Sequence, residues 1–185
     1  LGTRAYTRDF TTPHAASAAR QPYVKLHEQS EHSDLALNKQ GEDVYVAIDY
    51  QADRGDVFMV NLKTGKRTSL FPTYLSGTAT AIHFSGKAYG KPGWALVSTY
   101  GEYHASNQAS SLRNTAMQQW MHRKIFAVSL EENPQIRPLA HADSDSKSSW
   151  GSDAYWAEPQ ATVNSDFTRV LFNSTLNGSR IQDVE

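Results

Sequence analysis

Cysteine is absent from the 185 residues. That excludes disulfides, Cys-based zinc sites and thiol catalysis. A charge of one sign is also missing. Lys and Arg number 18 against 19 Asp and Glu, a formal net charge of −1. No overall basic field draws nucleic acid, and no acidic field draws cationic partners. No apolar run in the chain approaches the roughly 18 residues that a membrane-spanning helix needs. Neither nucleic acid nor a membrane span is therefore expected. The chain carries no H-E-x-x-H, D-x-D-x-D-G or G-x-S-x-G motif, and the glycines of "GKAYGKPG" lack phosphate-loop spacing.

What the chain has is repetition. "HSDLALNKQGEDVYVAI" spans 32–48 and "EPQATVNSDFTRVLFNS" spans 158–174. Each reads as an alternating strand, a polar turn and an apolar run rich in β-formers. With Asp34 set opposite Gln160 no gap is needed: Leu37 meets Val163, Asn38 meets Asn164, and Val44, Tyr45 and Val46 meet Val170, Leu171 and Phe172. The first copy continues into a third strand near Gly55–Leu62, a tight Thr64-Gly65 turn and a fourth strand near Lys66–Phe71. A middle copy has strands around His83, at Gly93–Thr99, at Lys124–Leu130 and at Gln135–His141, with Val97 opposite Val46. Insertions at Tyr100–Arg123 and Ala142–Trp156 interrupt it, the first with an expected helix around Leu112–Trp120. Trp94 and Phe126 sit inside strand patterns and are expected in the core. "NGSRIQDVE" reads as the start of a third strand in the last copy, and Pro22–Gln29 as the last strand of a preceding unit.

Four-stranded antiparallel meanders recurring at roughly 40–50 residues predict an all-β propeller. A β-sandwich also has many short strands, but it does not predict that the first strands of three units align. The expected division is 1–30 as lead-in or the end of a preceding blade, 31–73 as a blade, 74–141 as a blade with insertion 100–123, and 142–185 as loop 142–156 plus a truncated blade. That makes about two complete blades, whereas closed rings have roughly 4–8. The chain is therefore expected to be a fragment of a longer protein, or to self-associate and cover its open blade edges.

In a propeller the first strand of each blade lines the central channel. Asp34, His83 and Gln160 are approximate counterparts there, with His32 close to Asp34 and Glu158 close to Gln160. His83 and His32 are of a type that can bind a metal or transfer protons. Asp34 and Glu158 are candidate ligand-binding residues, with Trp150, Tyr155 and Trp156 offering ring faces to sugars. The competing reading is that these polar groups cap strand ends and the aromatics fill gaps between blades. Asp143, Asp145 and Asp153 offer oxygens to calcium, but their spacing defines no cage and favours a solvated loop. His104 and His122 flank the first insertion and are expected in solvent, and Lys63, Lys66 and Arg67 form a solvated hairpin edge without the interleaved aromatics of a nucleic-acid surface.

"EPQATVNSDFTRVLFNS" and "HSDLALNKQGEDVYVAIDY…GDVFMVNLKTGKRTSL" resemble TolB-type, WD40-like β-propeller repeats of bacterial envelope and secreted proteins. In those repeats the turn is often S-P-D-G, and Asn164-Ser165-Asp166-Phe167 stands in its place here. More distantly, Glu158-Pro159-Gln160 is similar to the E-P-H corner of the oligogalacturonate-lyase kind of propeller, which uses His and Gln ligands for a divalent metal. Gln160 replaces the corner histidine. This resemblance implies His83 as catalytic base or metal ligand, with Gln160 and His32 as further ligands of a divalent cation, Ca²⁺ or Mn²⁺. The resemblance implies a periplasmic or secreted scaffold that binds a ligand or partner, carbohydrate or another protein. The alternatives are a carbohydrate-active enzyme, namely a metal-assisted uronate lyase, and a purely structural interaction module.

Overall fold

The computed structural model describes residues 2–6, 23–104, 119–143, 158–174 and 182–184. Every regular element among them is a β-strand. β1 (Thr3–Tyr6) and β2 (Tyr23–His27) form an antiparallel pair. β3 (Ser33–Leu37), β4 (Asp43–Asp49), β5 (Asp56–Asn61) and β6 (Arg67–Pro72) form the first four-stranded sheet, in chain order. β7 (Thr78–Ser85), β8 (Trp94–His104), β9 (Lys124–Ser129) and β10 (Ile136–His141) repeat that order in the second. β11 (Thr162–Val163), β12 (Val170–Ser174) and β13 (Gln182–Val184) form a third sheet. Neighbouring strands in all four sheets run antiparallel. No helix among the described residues is long and apolar enough to cross a membrane.

The two recognised turns are built by the same device. Asn38 Oδ1 accepts from the backbone N–H of Gln40 and of Glu42 at 3.0 and 2.9 Å. Asn164 Oδ1 accepts from Thr168 and Arg169 at 2.9 and 2.8 Å. A side-chain amide thus replaces turn hydrogen bonds that the backbone would leave open. Gly41 and Phe167 occupy matching places, three residues after each Asn, with φ of 77° and 59°. The turn keeps its left-handed residue although Phe carries a Cβ there, at a cost of roughly 1–2 kcal/mol. The Phe167 ring recovers area by packing on the core between the second and third sheets.

Alternation on the strands assigns the faces. On β4, Val44, Val46 and Ile48 join Ile82, Ala95, Val97, Phe126 and Val128 in the core between the first two sheets. Tyr45 and Ala47 turn the other way, with Phe58 and Val60, onto Val24 and Leu26 of β2. Leu96 and Ile125 leave the far side of the second sheet to meet Ala161 and Val163. Val46 and Val97 therefore face one another across a seam from opposite sides of their sheets. The expected pairing of these two is one residue out of register, and Leu96, not Val97, is the residue that faces forward as Val46 does.

Other expectations shift as well. The Pro22–Gln29 strand is real, and its partner β1 precedes it. β8 runs on through residues 100–104, pairing Glu102, Tyr103 and His104 with Thr80, Ala79 and Thr78. Most of the expected helix at 112–120 lies outside the described residues, and Trp120 itself sits in a turn. Phe126 is fully buried as expected, whereas Trp94 is only half-buried, with the Arg137 guanidinium over its ring at 4.5 Å. Lys63, Lys66 and Arg67 are exposed.

His122 does not face solvent. It is 8% exposed. Its Nδ1 accepts from the Gln119 N–H at 3.4 Å, so Nε2 carries the proton and donates to Thr78 Oγ1 at 3.2 Å. The Thr78 hydroxyl passes its own proton to the Leu75 carbonyl at 2.8 Å. Every polar atom of this buried relay has a partner, which is what permits an imidazole inside the fold. On the outer edge of the second sheet, β10 carries Pro138 and a register shift beside it, between Pro138 and Ala140.

Candidate functional site

β3 packs beside β7, and β7 beside β11, so the first strands of three successive sheets are neighbours. Residues in or beside these strands converge, though not all from strand starts as expected: His83 is the sixth of the eight residues of β7. His32 precedes β3, His83 lies in β7, and Glu158 and Gln160 precede β11. The His32 and His83 rings stack at 4.5 Å and 28°. The Tyr100 ring, from β8, stacks on His83 at 4.5 Å and 16°. His83 Nε2 stands 3.5 Å from Glu158 Oε2. The Gln160 side chain lies close enough to the Glu158 carboxylate to favour its charged form. Gln160 itself is held in the left-handed region, at φ 41°, a conformation that β-strand residues avoid.

Protonation states follow from partners and burial. A carbonyl only accepts, and His32 Nδ1 lies 2.7 Å from the Ile82 carbonyl oxygen. His32 therefore carries its proton on Nδ1 and leaves Nε2 as the basic nitrogen. The Tyr100 hydroxyl approaches the same Nδ1 at 3.2 Å. Burial, aided by the neighbouring His32, pushes the His83 imidazole down to about 4. His83 Nδ1 is buried and has no hydrogen-bond partner. Burial also pushes the Glu158 carboxyl up to about 7, against the pull of the Gln160 side chain. Burial thus favours a neutral His83 imidazole and keeps the Glu158 carboxyl protonated to a higher pH than an ordinary glutamate. Such a pair can exchange a proton with a bound ligand or offer lone pairs to a cation.

The structure separates the expected site residues. His32, His83, Glu158 and Gln160 come together. Asp34 serves the scaffold: Oδ1 accepts from the Leu35 N–H at 2.8 Å and Oδ2 from the Gly86 N–H at 2.9 Å. Gly86 must be glycine for this approach, since a Cβ there would lie 2.0 Å from the Leu35 carbonyl oxygen. Trp150, Tyr155 and Trp156 lie outside the described residues, as do Asp145 and Asp153. The ligand atoms of His32, His83 and Glu158 do not all come within 4.8 Å of one another. A cation held there needs Gln160 or movement of a side chain.

Tyr100 and Tyr50 escape a reading of the sequence. Tyr50 donates its neighbourhood to the site through its hydroxyl, which accepts from the Ile82 N–H at 3.2 Å. Tyr100 falls where an insertion is expected to begin. The alternation that exposes it is local: Ser98 and Tyr100 share one side of β8, and Ser98 pairs with His83 across the ladder. Comparison of the chain with protein-family models, curated proteins and solved structures gave no match.

Proposed function

We propose that the chain is part of a TolB-like β-propeller of the bacterial envelope or secreted kind, and that it binds a polar, carbohydrate-like ligand at the mouth formed by His32, His83, Tyr100, Glu158 and Gln160. The reading is supported by one observation above others. Polar residues far apart in sequence gather beside three adjacent first strands, with His83 and Glu158 3.5 Å apart. Side chains that only capped their own strands would not need to meet. The sheets succeed one another in the same strand order, as blades do. Sugars present hydroxyls in several directions and suit a site with a donor amide, a carboxyl and an imidazole.

A second reading, metal-assisted uronate lysis, is favoured by the buried His83 Nδ1 without a partner and by the neutral state of that ring. In such a reaction a base takes the proton α to the uronate carboxylate. The electron pair closes a C=C bond, the glycosidic oxygen leaves and takes up a proton, and a cation steadies the enolate-like charge. His83 would be base or ligand, and Gln160 a ligand.

Calorimetric titration with neutral and uronate oligosaccharides tests the binding reading. Saturable binding that Glu158→Gln or His83→Ala weakens at least tenfold is expected. Equal affinity in wild type and both folded variants rules this mouth out as the site. Release of unsaturated uronate product, dependent on added metal, moves the assignment to the lyase.

A further inference from the structure

Three ligand-bearing side chains meet at the seam between the two-stranded sheet and the first four-stranded sheet. His27 ends β2, Glu31 follows four residues later, and Asp49 ends β4. One nitrogen or oxygen of each lies within 4.8 Å of the others, and among the described residues no other three His, Asp or Glu side chains meet this condition. All three are withdrawn from solvent. Their side chains are 3% and 11% exposed for His27 and Glu31, and 17% for Asp49.

Two carboxylates held close together away from water call for positive charge. Arg67 reaches Asp49 Oδ2 at 3.2 Å but is shared with Asp56 at 2.9 Å. Among the described residues Glu31 has no Lys or Arg partner. Its oxygens take the Tyr50 N–H at 2.9 Å, the Gln51 side-chain amide at 2.9 Å and His27 Nε2 at 3.3 Å. The Gln51 N–H meanwhile fixes Asp49 Oδ1 at 3.0 Å. Gln51 thus orients both carboxylates, as outer groups orient metal ligands. A groove of about 520 Å³, lined in part by His27, Asp49 and Gln51, opens from the seam to solvent.

We propose that His27, Glu31 and Asp49 bind a divalent transition-metal ion of the Mn²⁺ or Zn²⁺ class, which fastens the two-stranded sheet to the first four-stranded sheet. One imidazole nitrogen with two carboxylate oxygens suits these ions, whereas calcium prefers oxygen alone. Bonds of roughly 2.0–2.2 Å place neighbouring ligand atoms roughly 3–4 Å apart. The His27–Glu31 separation of 3.3 Å is already in that range, and Asp49 closes the set by a side-chain rotation. The groove supplies the path in and leaves positions for water. This site shares no residue with the His83 cluster and stands independently of the ligand proposed there.

Equilibrium dialysis against Mn²⁺, with bound metal counted by mass spectrometry, tests the assignment. Saturable Mn²⁺ binding is expected in wild type, unaffected at this site by His83→Ala and weakened at least tenfold by Glu31→Gln and by Asp49→Asn. A measurement on wild type alone guards against variants that fail to fold. Substoichiometric Mn²⁺ should broaden the His27 ring resonances in an NMR spectrum. No saturable binding, or broadening confined to His83, overturns the proposal.

Discussion

The seam between the first and second sheets and the seam between the second and third hold the same kinds of element by different means. The first is filled by large side chains: Ile48, Ile82, Met121 and Phe126 are all fully buried in it. The second is filled by small ones, Ala88, Ala142, Ala161 and Val163 beside Leu96 and Ile125. Phe167, Val170 and Phe172 pack on it only partly buried, and hydroxyls hold its backbone. Ser98 Oγ accepts from the Ala161 N–H at 3.1 Å and Ser85 Oγ from the Val163 N–H at 3.4 Å. β11 is only two residues long, so its own ladder satisfies few of its backbone groups. The serines of the neighbouring sheet answer N–H groups that would otherwise be buried without acceptors. A repeat can therefore keep its topology while one seam depends on packing and the next on hydrogen bonds.

The comparison can be broken by mutation. Phe126→Ala should have the largest effect, a loss of about 3–5 kcal/mol in urea unfolding, because it empties the middle of the first seam. A loss below about 1 kcal/mol would mean that side-chain volume does not hold that seam. Ser98→Ala should cost about 1–3 kcal/mol, the penalty of an orphaned buried N–H. Hydrogen exchange should report it locally, with the Ala161 amide exchanging faster while amides of the first sheet are unchanged. Uniform acceleration across all sheets would show instead that the two seams unfold as one.

A smaller effect depends on pH. Folded His83 and His122 sit near 4, below the ordinary 6.5, chiefly through burial. Between these values the unfolded chain binds more protons, so stability should fall as pH drops from 6.5 towards 4. Glu158 acts in the opposite direction. Its folded value of about 7 exceeds the ordinary 4.5, so its contribution is present below 4.5 and is lost as pH rises through 7. Glu158→Gln should therefore gain stability relative to wild type at pH 8 compared with pH 4.5, as judged by urea midpoints. The same difference at both pH values would show that Glu158 is not perturbed.

The smallest effect concerns the outward face of the third sheet. Leu171 stands between Val170 and Phe172, which pack on the second seam, and is itself 51% exposed. Leu171→Ser should change stability by no more than about 0.5 kcal/mol. Leu96, fully buried on the forward side of the second sheet, should cost about 2–5 kcal/mol when replaced by Ala. Equal costs would mean that the third sheet's outward face is covered in solution.

Strand positions were legible because β-branched and aromatic runs and Asn-led turns recur. Face assignment was legible only to within one residue. Setting the middle copy's Val97 opposite Val46 is one residue out, and alternation makes a one-residue error equal to the wrong side of the sheet. The candidate site was half legible. His83, His32, Glu158 and Gln160 were marked by their places relative to the repeat. Tyr100 was hidden because β8 outlasts its apolar core, and the His27, Glu31 and Asp49 set because its members join two different sheets. Asp34 looked like a site residue because the sequence shows where a carboxylate lies along a strand, not which neighbouring N–H it meets.

The outer edge of the second sheet has a further consequence. Pro138 removes an amide donor from β10, and the neighbouring bulge breaks its regular spacing. An extended segment from another molecule finds no continuous row of donors and acceptors on which to dock. Nascent chains crowded on a polysome are thereby denied one route to fibrous aggregation.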